Sequence, residues 1–213
     1  MGQPAPEIAA PVAGQTRARP VVELLTALAM TAGRGPVARA IISEARLTAA
    51  DRAADIGCGP GTAVREAARR GVPVTGLDPS SAALRLARLL TRGTVDARIM
   101  WIRGSAERLP LPDGSATVIW SISSVHHWDD LAAALAEVRR VLAPGGRVLL
   151  AERLTRPDAR GHAAHGFTRA QAEDLTRALA SAGFATPRST ILTAGRRTMV
   201  VVRADQADPV RAR

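Results

Sequence analysis

Residues 55–62 read DIGCGPGT. One acid, Asp55, is followed by glycine at three alternate positions, Gly57, Gly59 and Gly61. Glycine inside a strand or helix costs roughly 0.5–1 kcal/mol relative to alanine. Such a run therefore marks a loop whose backbone must come close to something. Upstream, RAADI is a short apolar strand. Downstream, TAVREAARRG has helical spacing and is closed by Gly71. Strand, loop and helix in that order put the loop at a strand's carboxyl end and a helix N-terminus. Free N–H groups there can receive a carboxylate or a phosphate.

The same alternation continues outward. VPVTGLD is a strand, PSSAALRLARLL a helix opened by Pro79, ARIMWIRG a strand and SATVIWSIS another. DDLAAALAEVRRVLAPGG is an amphipathic helix with an Asp cap, a basic last turn and a Pro-Gly-Gly stop. RVLLAER is a buried strand. TRAQAEDLTRALASAGF is a helix capped by Thr168, and TPRSTILTAGRRTMVVVRA a hairpin turning at Ala194-Gly195. Strands alternating with helices of this length predict an α/β fold with helices on both faces of a largely parallel, doubly wound sheet. Seven strands are expected, six parallel and one antiparallel. Upstream of this core, residues 20–50 predict two helices. The first is opened by Pro20 and buries Val21, Leu24, Leu25 and Leu28; the second is opened by Pro36 and buries Val37, Ala40, Ile41 and Ala45. Residues 1–19, rich in Pro, Ala and Gly, read as a mobile tail, and 206–213 as a polar one. Residues 20–205 then form one domain: helices over 20–50, a core over 51–153, and a closing helix and hairpin over 154–205.

The formal charge of +10 raises the question of a nucleic-acid partner. The chain has no lysine, asparagine or tyrosine, so all 29 basic residues are arginine. That bias looks like genome composition. Arg69-Arg70, Arg139-Arg140 and Arg196-Arg197 fall in different elements, and aromatic residues are only 2%. A nucleic-acid reader gathers its charge on one face, with aromatics for stacking, so this partner is disfavoured. Residues 21–30 are too short and too polar to span a bilayer, and residues 1–20 carry no secretory pattern. The one cysteine, Cys58, cannot form an internal disulfide. A cytoplasmic protein without a membrane span, monomer or homodimer, is expected.

The second strand ends in Asp78, 78 − 57 = 21 residues after Gly57. In a doubly wound sheet an acid there accepts hydrogen bonds from two ribose hydroxyls. The loop departs from the dinucleotide fingerprint G-x-G-x-x-G, because the sixth position is Thr62. Asp55 would repel a pyrophosphate but welcome an ammonium. The ligand is therefore expected to carry a ribose and an amino-acid end.

DIGCGPGT, GLDPS, GSAERLPLPDGSATVIW, HHWDD and RVLAPGGRVLLAER, in this order and spacing, resemble the class I S-adenosylmethionine-dependent methyltransferases. The chain is most similar to the small-molecule branch that includes the ubiquinone/menaquinone-biosynthesis methyltransferases (methyltransferase type 11-like). The resemblance is strong over about residues 45–155. It implies a Rossmann-like fold, S-adenosyl-L-methionine as cofactor and S-adenosyl-L-homocysteine as product. It implies that Asp55 and the backbone of Gly57, Cys58, Gly59 and Gly61 hold the methionine end. Asp78 takes the ribose, Pro79 and Ser80 lie beside the adenine, Ala106 and Glu107 meet its edge, and Ser121 lines the methionine side. Pro110 and Pro112 shape a loop, and Cys58 is loop filler without redox duty. Thr117 stands where relatives commonly have an acid; that acid usually supports structure, so the fold should tolerate threonine. Similar enzymes close N-terminal helices over the cofactor, which residues 20–50 are expected to do.

The acceptor side should lie above the fourth and fifth strands. All four histidines follow these strands: His126 and His127 the fourth, His162 and His165 the fifth, after Glu152. Histidine titrates near neutral pH, so His126 or His127, helped by Glu152, is the candidate general base. The plainer alternative is that His-His-Trp shapes the pocket floor without proton chemistry. His162 and His165 are expected in a loop over the acceptor, Trp128 near its mouth and Trp101 in the core. The histidines with Asp129, Asp130 and Glu152 could bind zinc or a harder ion, but no fixed ligand spacing argues for one, so no metal is expected. The expected function is methyl transfer to a small-molecule acceptor by in-line displacement. A nucleic-acid methyltransferase and a non-catalytic binding module are the alternatives.

Overall fold

A computed structural model describes residues 34–93, 96–161 and 165–208. The predicted tail over 1–19, the helix opened by Pro20, and His162 lie outside the described residues. Helix α1 (Gly35–Glu44) has Pro36 in its first turn and buries Val37, Ala38, Ile41 and Ile42. It is followed by β1 (Ala53–Ile56), α2 (Thr62–Arg69), β2 (Val74–Asp78), α3 (Ser81–Thr91), β3 (Ile99–Arg103) and β4 (Ala116–Ile122). Then come α4 (Leu131–Val141), β5 (Leu142–Arg153), α5 (Arg169–Ser181), β6 (Ala185–Ala194) and β7 (Arg197–Asp205).

The strand order is β3-β2-β1-β4-β5-β7-β6. Strands β1 to β5 pair in parallel, and β7 runs antiparallel to both β5 and β6. Strand β7 is thus the single reversed strand of seven, as expected. The chain winds outward from β1 through β2 to β3, then returns to lay β4 on the other side of β1. Ligands bind at such a switch point, and the glycine loop opens there.

Adjacent residues of a strand face opposite sides of a sheet, and the two cores follow this rule. Ile119 and Leu150 enter one cluster with Leu135 of α4 and Leu175 of α5. Trp120 and Leu149 enter the other with Ile41 of α1, Val64 of α2 and Leu84 of α3. Helix α5 begins with a full capping box, in which Thr168 and Gln171 satisfy each other's backbone N–H groups. Helix α4 ends earlier than its sequence suggests. It stops at Val141, and Leu142 already pairs with Ala116 as the first residue of β5. Apolar, helix-compatible residues there are captured by pairing with the start of β4.

Thr117 finds its acid elsewhere. Its hydroxyl donates to Asp51 Oδ1 (2.7 Å) and accepts from the Arg52 N–H (2.9 Å). Asp51, buried, also accepts from Arg147 Nη2 (2.9 Å) and from the Thr48 N–H (2.7 Å). Burial alone would raise this carboxyl's pKa, but bonds from Arg147, Thr48 and Thr117 hold it well below the usual carboxylate range. Arg147 Nε continues to the Ala45 carbonyl (2.6 Å), tying the end of α1 to β5. Among the described residues no helix is long and apolar enough to cross a membrane.

Candidate active site

The loop after β1 is fixed by backbone bonds first. The N–H groups of Gly57 and Cys58 both donate to the Leu77 carbonyl (2.8 and 2.9 Å). Asp78 Oδ2 accepts from the Gly59 N–H and Oδ1 from the Ser80 N–H, each at 2.8 Å. Gly57, Gly59 and Gly61 have φ of 72°, 52° and 75°, in the left-handed region that side chains avoid. Two of the three glycines are also demanded by neighbours of the protein itself. A Cβ on Gly57 would lie 1.9 Å from Ser124 Oγ, and one on Gly61 2.2 Å from the Trp101 ring. Only Gly59 has nothing within 4 Å of the missing Cβ. The sequence treats all three as room for a ligand; at Gly57 and Gly61 the protein's own side chains already exclude a Cβ, and of the three only Gly59 has no such neighbour. Trp101 is half-buried and lies over Gly61 and Gly76 rather than deep in the core.

Beside the loop is a cleft lined by Asp55, Gly57, Cys58 and Thr62 together with Arg34 and Arg197. Thr62 Oγ1 is buried without a partner among the described residues. Asp55 is 2% exposed. Burial pushes its pKa up to about 7; the Asp78 charge adds to this, while the Trp120 indole and Arg34 offset it in part. An acid, two guanidinium groups and an orphaned hydroxyl on one cleft fit an amino acid's ammonium and carboxylate. Arg34 and Arg197, from the N-cap of α1 and the start of β7, escape a sequence reading because their elements carry no motif. A larger hollow of about 1260 Å³, between α4 and α5, is lined mostly by Leu and Ala with Arg139 and Arg140, and offers no acid or imidazole.

Burial of Asp55 yields a pH test. Its ordinary pKa is 3.8, so the unfolded chain loses this proton well before the folded one does. Stability present in acid is therefore lost as pH rises toward 7, and the loss levels off above it. Asp55→Asn is expected to raise the ligand-free melting temperature by about 5 °C at pH 8, and by much less at pH 4. Thermal unfolding at the two pH values checks this, and an equal shift at both would contradict it.

The other predicted residues fall as follows. Ser80 caps α3, accepting from the Ala83 N–H (3.2 Å), and Pro79 beside it is exposed. Ala106 is a core residue, and Glu107 Oε1 accepts from the Asp129 N–H (3.0 Å). Burial would raise the Glu107 pKa, but hydrogen bonds from its own N–H, Ser105, Asp129 and Asp130 hold it below its ordinary value. Ser121 is fully buried within β4, its hydroxyl without a partner among the described residues, and the next two residues, Ile122 and Ser123, line the cleft. Burial raises the Cys58 thiol well above its ordinary pKa, which leaves it an unreactive packing group. The loop holding Pro110 and Pro112 is pinned to α4 by Arg140, which donates to the carbonyls of Leu109 (2.9 Å) and Leu111 (2.8 Å).

Past β4, Ser123 adopts φ 54° and the chain enters a 3₁₀ turn at Val125–His127. This turn brings His126 Nδ1 to 2.9 Å from Glu152 Oε2, near the end of β5. Glu152 is 1% exposed and His126 half-buried. His127 is exposed; partial burial and the neighbouring His126 and His165 rings lower its pKa, against a smaller opposing pull from Glu152. Trp128 packs against the core cluster that holds Ile119. Arg34 feels both Asp55 and Glu152, so the cleft and the His126–Glu152 pair share one electrostatic neighbourhood.

Residues 54–150 match the family model described as "Methyltransferase domain". The chain is 38% identical over 117 residues to 27-O-demethylrifamycin SV methyltransferase of Amycolatopsis mediterranei, covering 54% of this chain and 43% of that protein. It is 33% identical over 114 residues to demethylmenaquinone methyltransferase of Tropheryma whipplei, covering 54% and 46%. The chain thus spans less than half the length of these relatives. Among solved structures, a SAM-dependent methyltransferase from Aquifex aeolicus superposes with TM-score 0.71 at 15% identity, covering 85% of this chain and 97% of that one.

Proposed function

We infer that this chain, whose residues 54–150 match a methyltransferase domain, carries out class I S-adenosylmethionine-dependent methyl transfer to a small-molecule acceptor that gives up a proton. The observation that carries the proton step is the 2.9 Å contact of His126 Nδ1 with the buried Glu152 carboxylate. When bound, the cofactor supplies a methyl group already activated on a sulfonium. What the chain must add is grip, alignment and a proton acceptor.

Asp55 faces the ammonium and Arg34 the carboxylate of the methionine end. Asp78 has lone pairs left for ribose hydroxyls, since each of its oxygens accepts only one backbone bond. Glu152 accepting from Nδ1–H leaves the lone pair of the His126 ring on Nε2. That nitrogen takes the acceptor's proton, and Glu152 offsets the charge that then develops on the ring, the division of labour seen in other carboxylate-oriented histidine bases. Support for a small acceptor comes from the relatives, whose names refer to a rifamycin and a menaquinone precursor.

Release of S-adenosylhomocysteine in a panel of small hydroxylated and quinol acceptors tests the activity. His126→Ala is expected to lower kcat by about 10²–10⁴ with cofactor Kd unchanged. Glu152→Gln should lower it less, because the ring remains. Full turnover by His126→Ala would remove the base assignment.

A further inference from the structure

The proton step uses one imidazole, yet the fold gathers three. His126 and His127 come from the turn after β4, and His165 from the segment before α5. Ring centroids of His126 and His127 are 4.0 Å apart, and His165 lies 5.8 and 6.4 Å from them. One nitrogen of each ring lies within 4.8 Å of the other two. His127 and His165 are both exposed, so burying apolar surface does not account for the gathering.

We propose that His126, His127 and His165 form a site for one borderline divalent transition-metal ion of the zinc class. An ion there silences methyl transfer by taking the Nε2 lone pair of His126. This second half rests on the base reading given above; the first half does not. Imidazole nitrogen selects zinc, nickel, cobalt and copper over magnesium and calcium. Three nitrogens with one open position is a common zinc ligand count. Zinc–nitrogen bonds of about 2.1 Å place ligand nitrogens roughly 3.4 Å apart in a tetrahedron. Closing from at most 4.8 Å to that spacing takes ring rotations of about 1 Å, which two exposed side chains can make. His126 is already oriented for the task. A metal-bound imidazole commonly donates its other N–H to a carboxylate, and Glu152 stands at Nδ1. The sequence raises a metal among its histidines but offers no fixed ligand spacing for this site, since the third member arrives from a distant loop.

The test is zinc titration into metal-free, untagged full-length protein, read by competition with a chromophoric chelator, with cobalt absorption as a second probe. One equivalent should bind with micromolar Kd. His165→Ala should weaken binding about tenfold or more while S-adenosylhomocysteine affinity stays the same. Zinc should inhibit turnover, and His165→Ala should raise the inhibitory concentration by the same factor as its Kd. Absence of stoichiometric zinc, or equal affinity in a His127→Ala/His165→Ala double variant, overturns the site. Stoichiometric zinc without inhibition overturns the second half alone. The titration needs no acceptor, so it gives its answer even if the proposed methyl transfer is wrong.

Discussion

Asp78→Ala is expected to weaken S-adenosylhomocysteine binding by about a hundredfold or more. The carboxylate, 8% exposed at the end of β2, accepts the Gly59 and Ser80 N–H groups at 2.8 Å each. Hydrogen bonds to a charged group contribute about 1.5–3 kcal/mol each. Removing the acid also leaves two backbone donors to find water in a half-closed loop. Gly59, the one glycine of the three with open space at its missing Cβ, then loses its anchor just where a ligand would approach. The variant thus loses both the oxygens proposed to take the ribose hydroxyls and the shape of the loop. Asp78→Asn keeps the size and one acceptor oxygen, and should fall between wild type and alanine. Calorimetric titration with S-adenosylhomocysteine, and with NAD in parallel, measures this. A change under about fivefold in the alanine variant, or NAD binding by the wild type, would refute the assignment of this loop.

Gly57→Ala should be the more damaging change for stability, at about 2–5 kcal/mol. A left-handed conformation costs a non-glycine residue roughly 1–2 kcal/mol, and forcing a methyl group into a packed site adds about 1–3 kcal/mol. Here φ is 72°, and the new Cβ would sit 1.9 Å from Ser124 Oγ and 2.5 Å from Ser124 Cβ. Ser124 immediately precedes the turn that holds His126, so the displacement reaches the proposed proton acceptor as well. Chemical denaturation reports the stability loss. Adding Ser124→Gly should recover the steric part and leave the dihedral part, which a double-mutant cycle separates. Gly59→Ala serves as the contrast. With nothing within 4 Å, it should cost only its dihedral term while still hindering the cofactor. Equal destabilisation by the two substitutions would show that steric contact with Ser124 is not what Gly57 avoids.

Much of the fold is legible in the residues because local signals agree with one another. Period-two and period-3.6 patterns alternate from Asp51 onward, and the starts of α3, α4 and α5 carry side-chain caps, such as Asp130, whose Oδ1 accepts from the Ala133 N–H (3.0 Å). Asp55, the glycine run and Asp78 are legible because they are near in sequence and their chemistry is local to two strand ends. One misreading shows what local signals leave out. Leu142 continues a helical pattern and yet pairs with Ala116, so pairing with a neighbour distant in sequence outweighs the local preference.

The sequence by itself determines the class of sheet, the position of the loop and the acids at the ends of β1 and β2, since periodicity, glycine and charge act over a few residues. Only the tertiary structure decides what those residues meet. It sets Ser124 and Trp101 against Gly57 and Gly61, brings Arg34 and Arg197 to the cleft beside Asp55, and lays β4 next to β5 so that His126 reaches Glu152. These contacts join residues tens to more than a hundred positions apart. Their closeness comes from the packing of the sheet and its helices, for which a linear pattern carries no signal.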